Sequence, residues 1–205
     1  MISPYVRSYQ SRDLDAVYDI CVRTADAGGD ARGHYSSDRL MGELFAAPYV
    51  ILEPGHAHVV DDGEGNAVGY IVGTADTAGF VRRYREEWIP RAGLPQPAQP
   101  PATREDMMLA LHFRPERMDL PELGAYPAHL HIDLLPDWQG KGWGRRLMEA
   151  FLGGLREAGV SAVHLGMAAH NTPARAFYDR LGFEEVVVPG VSGVTFLARD
   201  TSPLK

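Results

Sequence analysis

The run Gln139-Gly140-Lys141-Gly142-Trp143-Gly144-Arg145 has the composition of an anion cradle. It follows an apolar-polar alternation that ends at Pro136 and precedes Leu147, Met148, Phe151, Leu152 and Leu155, which fall on one face of a helix. Glycines remove Cβ atoms where backbone N–H groups must come close to a ligand. N–H groups at a helix start have no intrahelical partner and sit at the positive end of the helix dipole. A pyrophosphate suits that concavity, with Lys141, Arg145 and Arg146 adding charge at its rim. A lone Gly140-Lys141-Gly142 would more often be a plain turn before a surface helix, so the surroundings decide. The run lacks the Gly-Lys-Ser/Thr ending of a Walker loop, and it does not open its domain as a dinucleotide fingerprint does.

A second constellation lies just upstream. His129, His131 and Asp133 alternate along one strand and share a face unless a bulge intervenes, with Leu130, Ile132 and Leu134 on the other. Two imidazoles and a carboxylate so placed could act as bases, or could hold a metal ion in a hydrolase. They could also be hydrogen-bonded inside a polar cleft with no chemistry. The acyl-CoA reading developed next accounts for the neighbouring glycines and the metal reading does not, so no metal is expected.

The loop matches Gln/Arg-x-x-Gly-x-Gly/Ala through Gln139, Gly142 and Gly144, and so resembles the acyl-CoA signature of the GNAT superfamily. The segment Asn171-Thr-Pro-Ala174-Arg-Ala-Phe177-Tyr178-Asp-Arg-Leu181-Gly182-Phe183 resembles that family's second block, at the expected distance downstream. The resemblance implies acetyl-CoA as co-substrate. It further implies that Leu134 and Leu135 offer backbone groups to the pantetheine arm and that residues 139 to 145 hold the pyrophosphate. Within the second block, which includes Ala174 and Phe177, it gives Asn171 a polar contact to the cofactor and Tyr178 the role of proton donor to the leaving thiolate. Val6 to Asp13, Val17 to Cys21, Trp88-Ile89-Pro90 and Tyr126 to Leu135 are similar to the acetyltransferase-like C-terminal domain of O-GlcNAcase and its free-standing bacterial relatives, over nearly the whole chain.

Acetyl transfer from a thioester to an amine needs a neutral amine, a polarised carbonyl and a protonated leaving thiolate. Tyrosine, with a pKa of about 10, is a suitable acid for such a thiolate. For the base, many family members use a strand glutamate, and Gly166 stands where some relatives carry it. Asp133, nearest the loop, is the first candidate and His131 the second. Two functions follow. One is an N-acetyltransferase acting on a primary amine, in a small molecule or a protein lysine, by direct attack in a ternary complex. The other is a catalytically weak module that binds acyl-CoA or a partner.

The elements that must position these groups can be read coarsely. A strand over Tyr5 to Tyr9 leads to a helix capped by Ser11 and carrying Leu14, Val17, Tyr18, Cys21 and Ala25, ended by Gly28-Gly29. Ser36 or Ser37 caps a second helix through Leu40, Leu44 and Phe45, which Pro48 closes. His56 to Val60 and Ala67 to Thr74 flank a hairpin turn at Asp61 to Asn66. Residues 76–127 read as an insertion: helical from Phe80 to Trp88, proline-rich from Pro90 to Pro101, helical again around Met107 to Leu111. Its aromatics pack a helix onto the sheet, and its place before the cofactor strand makes it a wall or lid of the acceptor site. Strand, helix, strand, helix and two strands then finish the chain, with parallel pairing in the middle. The expected fold class is α/β (α+β): a GNAT fold in one domain, with a mixed twisted sheet of about six or seven strands flanked by helices.

Composition sets the outer bounds. The 205 residues are 45% hydrophobic and 23% charged, ordinary for a soluble globular protein. A net charge of -7 and no long Lys/Arg run argue against nucleic acid or an acidic membrane as partner. No run approaches the ~18 apolar residues of a membrane span. The N-terminus Met1-Ile2-Ser3-Pro4-Tyr5 lacks the pattern of a secretion signal, and Cys21 is the only cysteine, so a reducing, cytoplasmic location is expected. A homodimer through an apolar face of the insertion stays open.

Overall fold

Asp61-Asp62-Gly63-Glu64-Gly65-Asn66 makes a turn because both aspartates accept from backbone ahead of them. Asp61 Oδ1 takes the N–H groups of Gly63 and Gly65, and Asp62 Oδ1 takes those of Glu64 and Asn66. The computed structural model, which describes residues 3–204, thereby joins β2 (His58–Asp61) to β3 (Ala67–Thr74) as an antiparallel hairpin. Met1 and Ile2, part of the stretch read above for a signal, lie outside the described residues. β1 (Tyr5–Ser8), β4 (Ala128–Leu134), β5 (Ala162–Ala168), β6 (Glu184–Val186) and β7 (Val194–Asp200) complete a seven-stranded sheet in the order β1-β2-β3-β4-β5-β7-β6. Every neighbouring pair is antiparallel except β4 and β5. The mixed sheet has the expected class, and β3 has the expected bounds.

Two apolar layers cover the sheet. On one face α1 (Leu14–Thr24), α2 (Leu40–Phe45), α3 (Ala47–Leu52) and α4 (Thr77–Arg83) bury Tyr18, Tyr49, Phe80, Tyr84 and Trp88 with Tyr70 and Val72 of the sheet. On the other, α7 (Trp143–Glu157) and α8 (Thr172–Arg180) bury Leu147, Phe151, Leu155 and Tyr178 with Ile71, Leu130 and Leu165. Each fully buried Leu or Phe contributes roughly 1.5–3 kcal/mol. The insertion continues from α4 through a π-helical turn (Tyr84–Trp88) into α5 (Ile89–Ala92), then α6 (Arg104–His112). Phe80, Tyr84 and Trp88 are core residues, and the Trp88 indole donates to Glu43 O at 2.9 Å. Among the described residues no helix is long and apolar enough to cross a membrane.

Three local expectations are corrected. Ser11 does not cap α1: Gln10 opens a 3-10 turn there, and its N–H goes to Asp13 Oδ2. Neither Ser36 nor Ser37 is the N-cap of α2, because the chain enters through Arg39 while Ser36 binds Glu105 of α6. Pro48 opens α3 rather than closing α2, sitting in the first turn, where a missing N–H leaves no bond unmade.

Candidate functional site

β4 and β5 pair only at Ala128–Val163 and His129–His164, although each has a full ladder on its outer side with β3 or β7. Beyond His129 the inner edge of β4 is therefore unpaired. Leu135 N–H donates to Val68 O at 3.0 Å, which makes Leu134–Gly69 a pair that exchanges no hydrogen bonds. The backbone groups of Leu134, and by alternation those of Ile132, face the gap. Leu134 O accepts the Gln139 side-chain amide at 2.8 Å, and among the described residues β5 sets no pairing residue opposite the Leu134 N–H. The N–H of Leu135 is bound to β3 and its carbonyl accepts from Trp138 N, so of this pair it is Leu134 that turns its N–H to the gap. Through its bond to Leu134 O the Gln139 side chain ties the loop to the end of β4.

At the end of the gap, Gly140 and Gly142 adopt φ of 69° and 85°, left-handed values that a side chain would strain. This bend leaves the N–H groups of Gly140, Lys141, Gly142, Trp143 and Gly144 without any acceptor among the described residues. Five successive unpaired donors sit at the positive end of α7, a helix of 15 residues. Gly144 also serves the packing. A Cβ there would lie 3.0 Å from Phe177 Cε2 and 3.4 Å from Leu134 Cδ1, so its absence lets α7 seat against α8 and β4. Lys141 is exposed, Arg145 pairs with Glu149 at 2.9 Å, and Arg146 stacks 4.6 Å from the Trp143 ring centroid.

On α8, Asn171 is the N-cap, its Oδ1 accepting Ala174 N–H at 3.1 Å. Ala174 and Phe177 pack onto the second core. Tyr178 is 8% exposed between Phe177 and Phe183, and its hydroxyl makes no hydrogen bond among the described residues. Burial first, and the nearby Asp133 carboxylate second, raise its pKa above that of an ordinary tyrosine. It therefore holds its proton at neutral pH.

His129, His131 and Asp133 do share one face, as the alternation required. Asp133 accepts from the Tyr70 hydroxyl at 2.6 Å. Burial lifts its pKa to about 6 against the pull of the Tyr70 and Thr24 hydroxyls. His131 lies between Phe45 and Tyr49, and burial with the Arg117 charge drops its pKa to about 4. The usual order of basicity is thus inverted, and near neutral pH Asp133 is the better proton acceptor. His131 Nε2 meets Tyr49 Oη at 3.2 Å, Tyr49 Oη meets His129 Nε2 at 2.8 Å, and His129 Nδ1 meets Thr77 Oγ1 at 2.8 Å. Thr77 donates its own proton to Pro127 O, so it accepts from His129 Nδ1–H. His129 Nε2 then accepts from Tyr49, which accepts from His131. Tyr49 thus links the two imidazoles while Asp133 is held apart by Tyr70, and among the described residues no three His, Cys, Asp or Glu side chains are arranged to hold a metal ion. Tyr49, Tyr70 and Thr77 escaped the sequence reading, having no motif to mark them. Gly166 faces solvent, with Phe196 and Val194 3.3 Å from where its Cβ would be, and brings no carboxylate to the gap.

Residues 108–183 match the acetyltransferase (GNAT) family. A crystal structure of SsHAT superposes with a TM-score of 0.94 and 59% identity, covering 98% of this chain and 99% of that one. Protein O-GlcNAcase of Rattus norvegicus is 24% identical over 185 residues; the match takes in 88% of this chain and 20% of the relative, so this chain spans about a fifth of that protein's length. PaiA N-acetyltransferase from Thermoplasma acidophilum, solved in complex with coenzyme A, shares the fold at a TM-score of 0.58 and 12% identity, over 97% of this chain and 99% of that one.

Proposed function

Because this chain belongs to the acetyltransferase (GNAT) family, we propose that it transfers an acetyl group from acetyl-CoA to a primary amine, by direct attack in a ternary complex. The observation that carries this reading is the parting of β4 from β5, with the Leu134 N–H facing the gap and, among the described residues, five unpaired N–H groups at its end. An extended amide-bearing arm can pair with the β4 edge as an added strand would, while the Gly140–Gly144 donors hold a pyrophosphate. Such a ligand brings its thioester toward Asp133 and Tyr178.

The chemistry balances with those two groups. The amine nitrogen bonds to the acetyl carbon and the carbon–sulfur bond breaks. Asp133, directly or through water, accepts the proton that leaves nitrogen, and Tyr178 gives its proton to the departing sulfur. His131 stays neutral and fixed through Tyr49, as a wall of the amine pocket. The acceptor class is an amine in a small molecule or a protein lysine.

A second reading, a catalytically weak acyl-CoA-binding or partner-binding module, draws on the missing carboxylate at Gly166. Calorimetry with acetyl-CoA, followed by thiol release over an acceptor panel, separates the two. Binding that survives Gly142→Asp ends the cofactor assignment. Binding without thiol release for any amine favours the module.

A further inference from the structure

Among the described residues, six arginines besides Arg117 are neither fully exposed nor fully buried: Arg7, Arg23, Arg83, Arg145, Arg175 and Arg199. Each has a carboxylate within ion-pair distance. Arg117 has none, in a chain with 27 acidic and 20 basic residues, where a partner is easily supplied. Among the described residues its sole hydrogen bond is from Nε to Leu111 O at 3.2 Å, which leaves both Nη groups with no acceptor there. Taking a guanidinium out of water without a counter-charge is unfavourable, and burial indeed lowers its pKa.

The position is built rather than incidental. Arg117 lies on a 3-10 turn (Pro115–Met118) whose Pro115 and Met118 are buried, with Met118 Sδ 3.7 Å from the Tyr49 hydroxyl. The neighbouring Glu116 is turned away and held by Arg85 in two bonds of 2.6 Å. The guanidinium carbon stands 5.7 Å from the Phe45 ring centroid, and Phe45 in turn meets the His131 ring edge-on at 5.7 Å. The charge of Arg117 is felt at His131, Tyr49 and Tyr84. An unpaired cation thus borders the wall of the proposed amine pocket, delivered by the insertion at residues 76–127.

We propose that Arg117 recognises an anionic group, a carboxylate or a phosphate, on the molecule whose amine enters this pocket. A planar guanidinium with two unused Nη groups is suited to two-point binding of either anion. The proposal rests on the transferase reading for the identity of the pocket, not for the binding itself. It also assigns the insertion a task in recognition.

The test titrates CoA-loaded protein calorimetrically with matched pairs: 4-aminobutanoate against 1-aminobutane, and O-phosphoethanolamine against ethanolamine. A lysine peptide with a flanking glutamate, against its glutamine counterpart, tells a peptide source from a small molecule. The expected result is at least about tenfold tighter binding of the anionic member of a pair. That preference disappears in Arg117→Met and survives in part in Arg117→Lys. Equal affinities within all pairs in the wild type, binding by neither member, or a preference that survives Arg117→Met overturns the proposal. The wild-type comparison stands even where Arg117→Met fails to fold. Thiol release is read in the same samples: anion-selective binding without release ends the transferase reading and leaves the Arg117 assignment intact. Release with equal kcat/KM inside each pair does the reverse.

Discussion

Replacing Asp133 with asparagine removes a buried charge while keeping the shape and a carbonyl oxygen for the Tyr70 hydroxyl, now 2.6 Å from Asp133 Oδ2. The carboxyl has a pKa of about 6 in the folded protein against 3.8 ordinarily; at 1.36 kcal/mol per tenfold this is ~3 kcal/mol of destabilisation when ionised. The sign follows from proton binding. Between pH 3.8 and about 6 the folded protein holds a proton that the unfolded chain has lost, so stability falls as pH rises through that window. Above it the full penalty is present. Asp133 keeps some contact with water, which trims the figure, so Asp133→Asn is expected to be more stable than the wild type by roughly 1–3 kcal/mol at pH 8. The gain shrinks to about a third of that at pH 4.5. Urea denaturation at the two pH values measures it. Activity moves the other way: wild-type kcat/KM has an acid limb near pH 6, and the variant lacks that limb and is about 10²–10⁴-fold slower at pH 8. An unchanged limb in Asp133→Asn, or a variant less stable than wild type at pH 8, refutes the reasoning.

Tyr178→Phe is expected to lower kcat by about 10²–10⁴-fold with acetyl-CoA affinity unchanged by calorimetry, since the lost hydroxyl bonds to nothing among the described residues. Gly142→Asp places a side chain at φ 85°, costing roughly 1–3 kcal/mol, and sets a negative charge among the unpaired N–H groups; calorimetry should detect no acetyl-CoA binding. Tyr49→Phe leaves His129 Nε2 buried without a donor and His131 Nε2 without an acceptor, a loss of about 1–3 kcal/mol readable as a lower Tm, while acetyl-CoA binding persists.

The features legible in the sequence are those made by neighbours along the chain. Gly140 and Gly142 bend the backbone through their own φ angles, the run from Leu147 to Leu155 makes its own apolar face, and Asn171 caps α8 through a residue three positions on. Local chemistry of this kind survives transcription into a motif, so the loop, α7, α8 and the alternation at His129, His131 and Asp133 were all visible. The helix start misread at Ser36 marks the limit, because there the distant Glu105 takes the serine; at Ser11 and Pro48 the misreading is one of local phase, since Gln10 opens a turn and Pro48 sits in the first turn of α3.

The rest was decided in three dimensions. That β4 leaves β5 after His129, and that Leu134 rather than Leu135 faces the gap, depends on hydrogen-bond phase set by Val68 on another strand. Tyr49 binds His129 and His131 across about eighty residues of chain. A carboxylate more basic than the imidazole two residues before it is a property of burial and of the Arg117 charge, since desolvation and neighbouring charge act through space. Sequence by itself determined the glycine loop and the fold class; packing decided which carboxyl outranks an imidazole in basicity, which hydroxyl is free among the described residues, and where an unpaired cation waits.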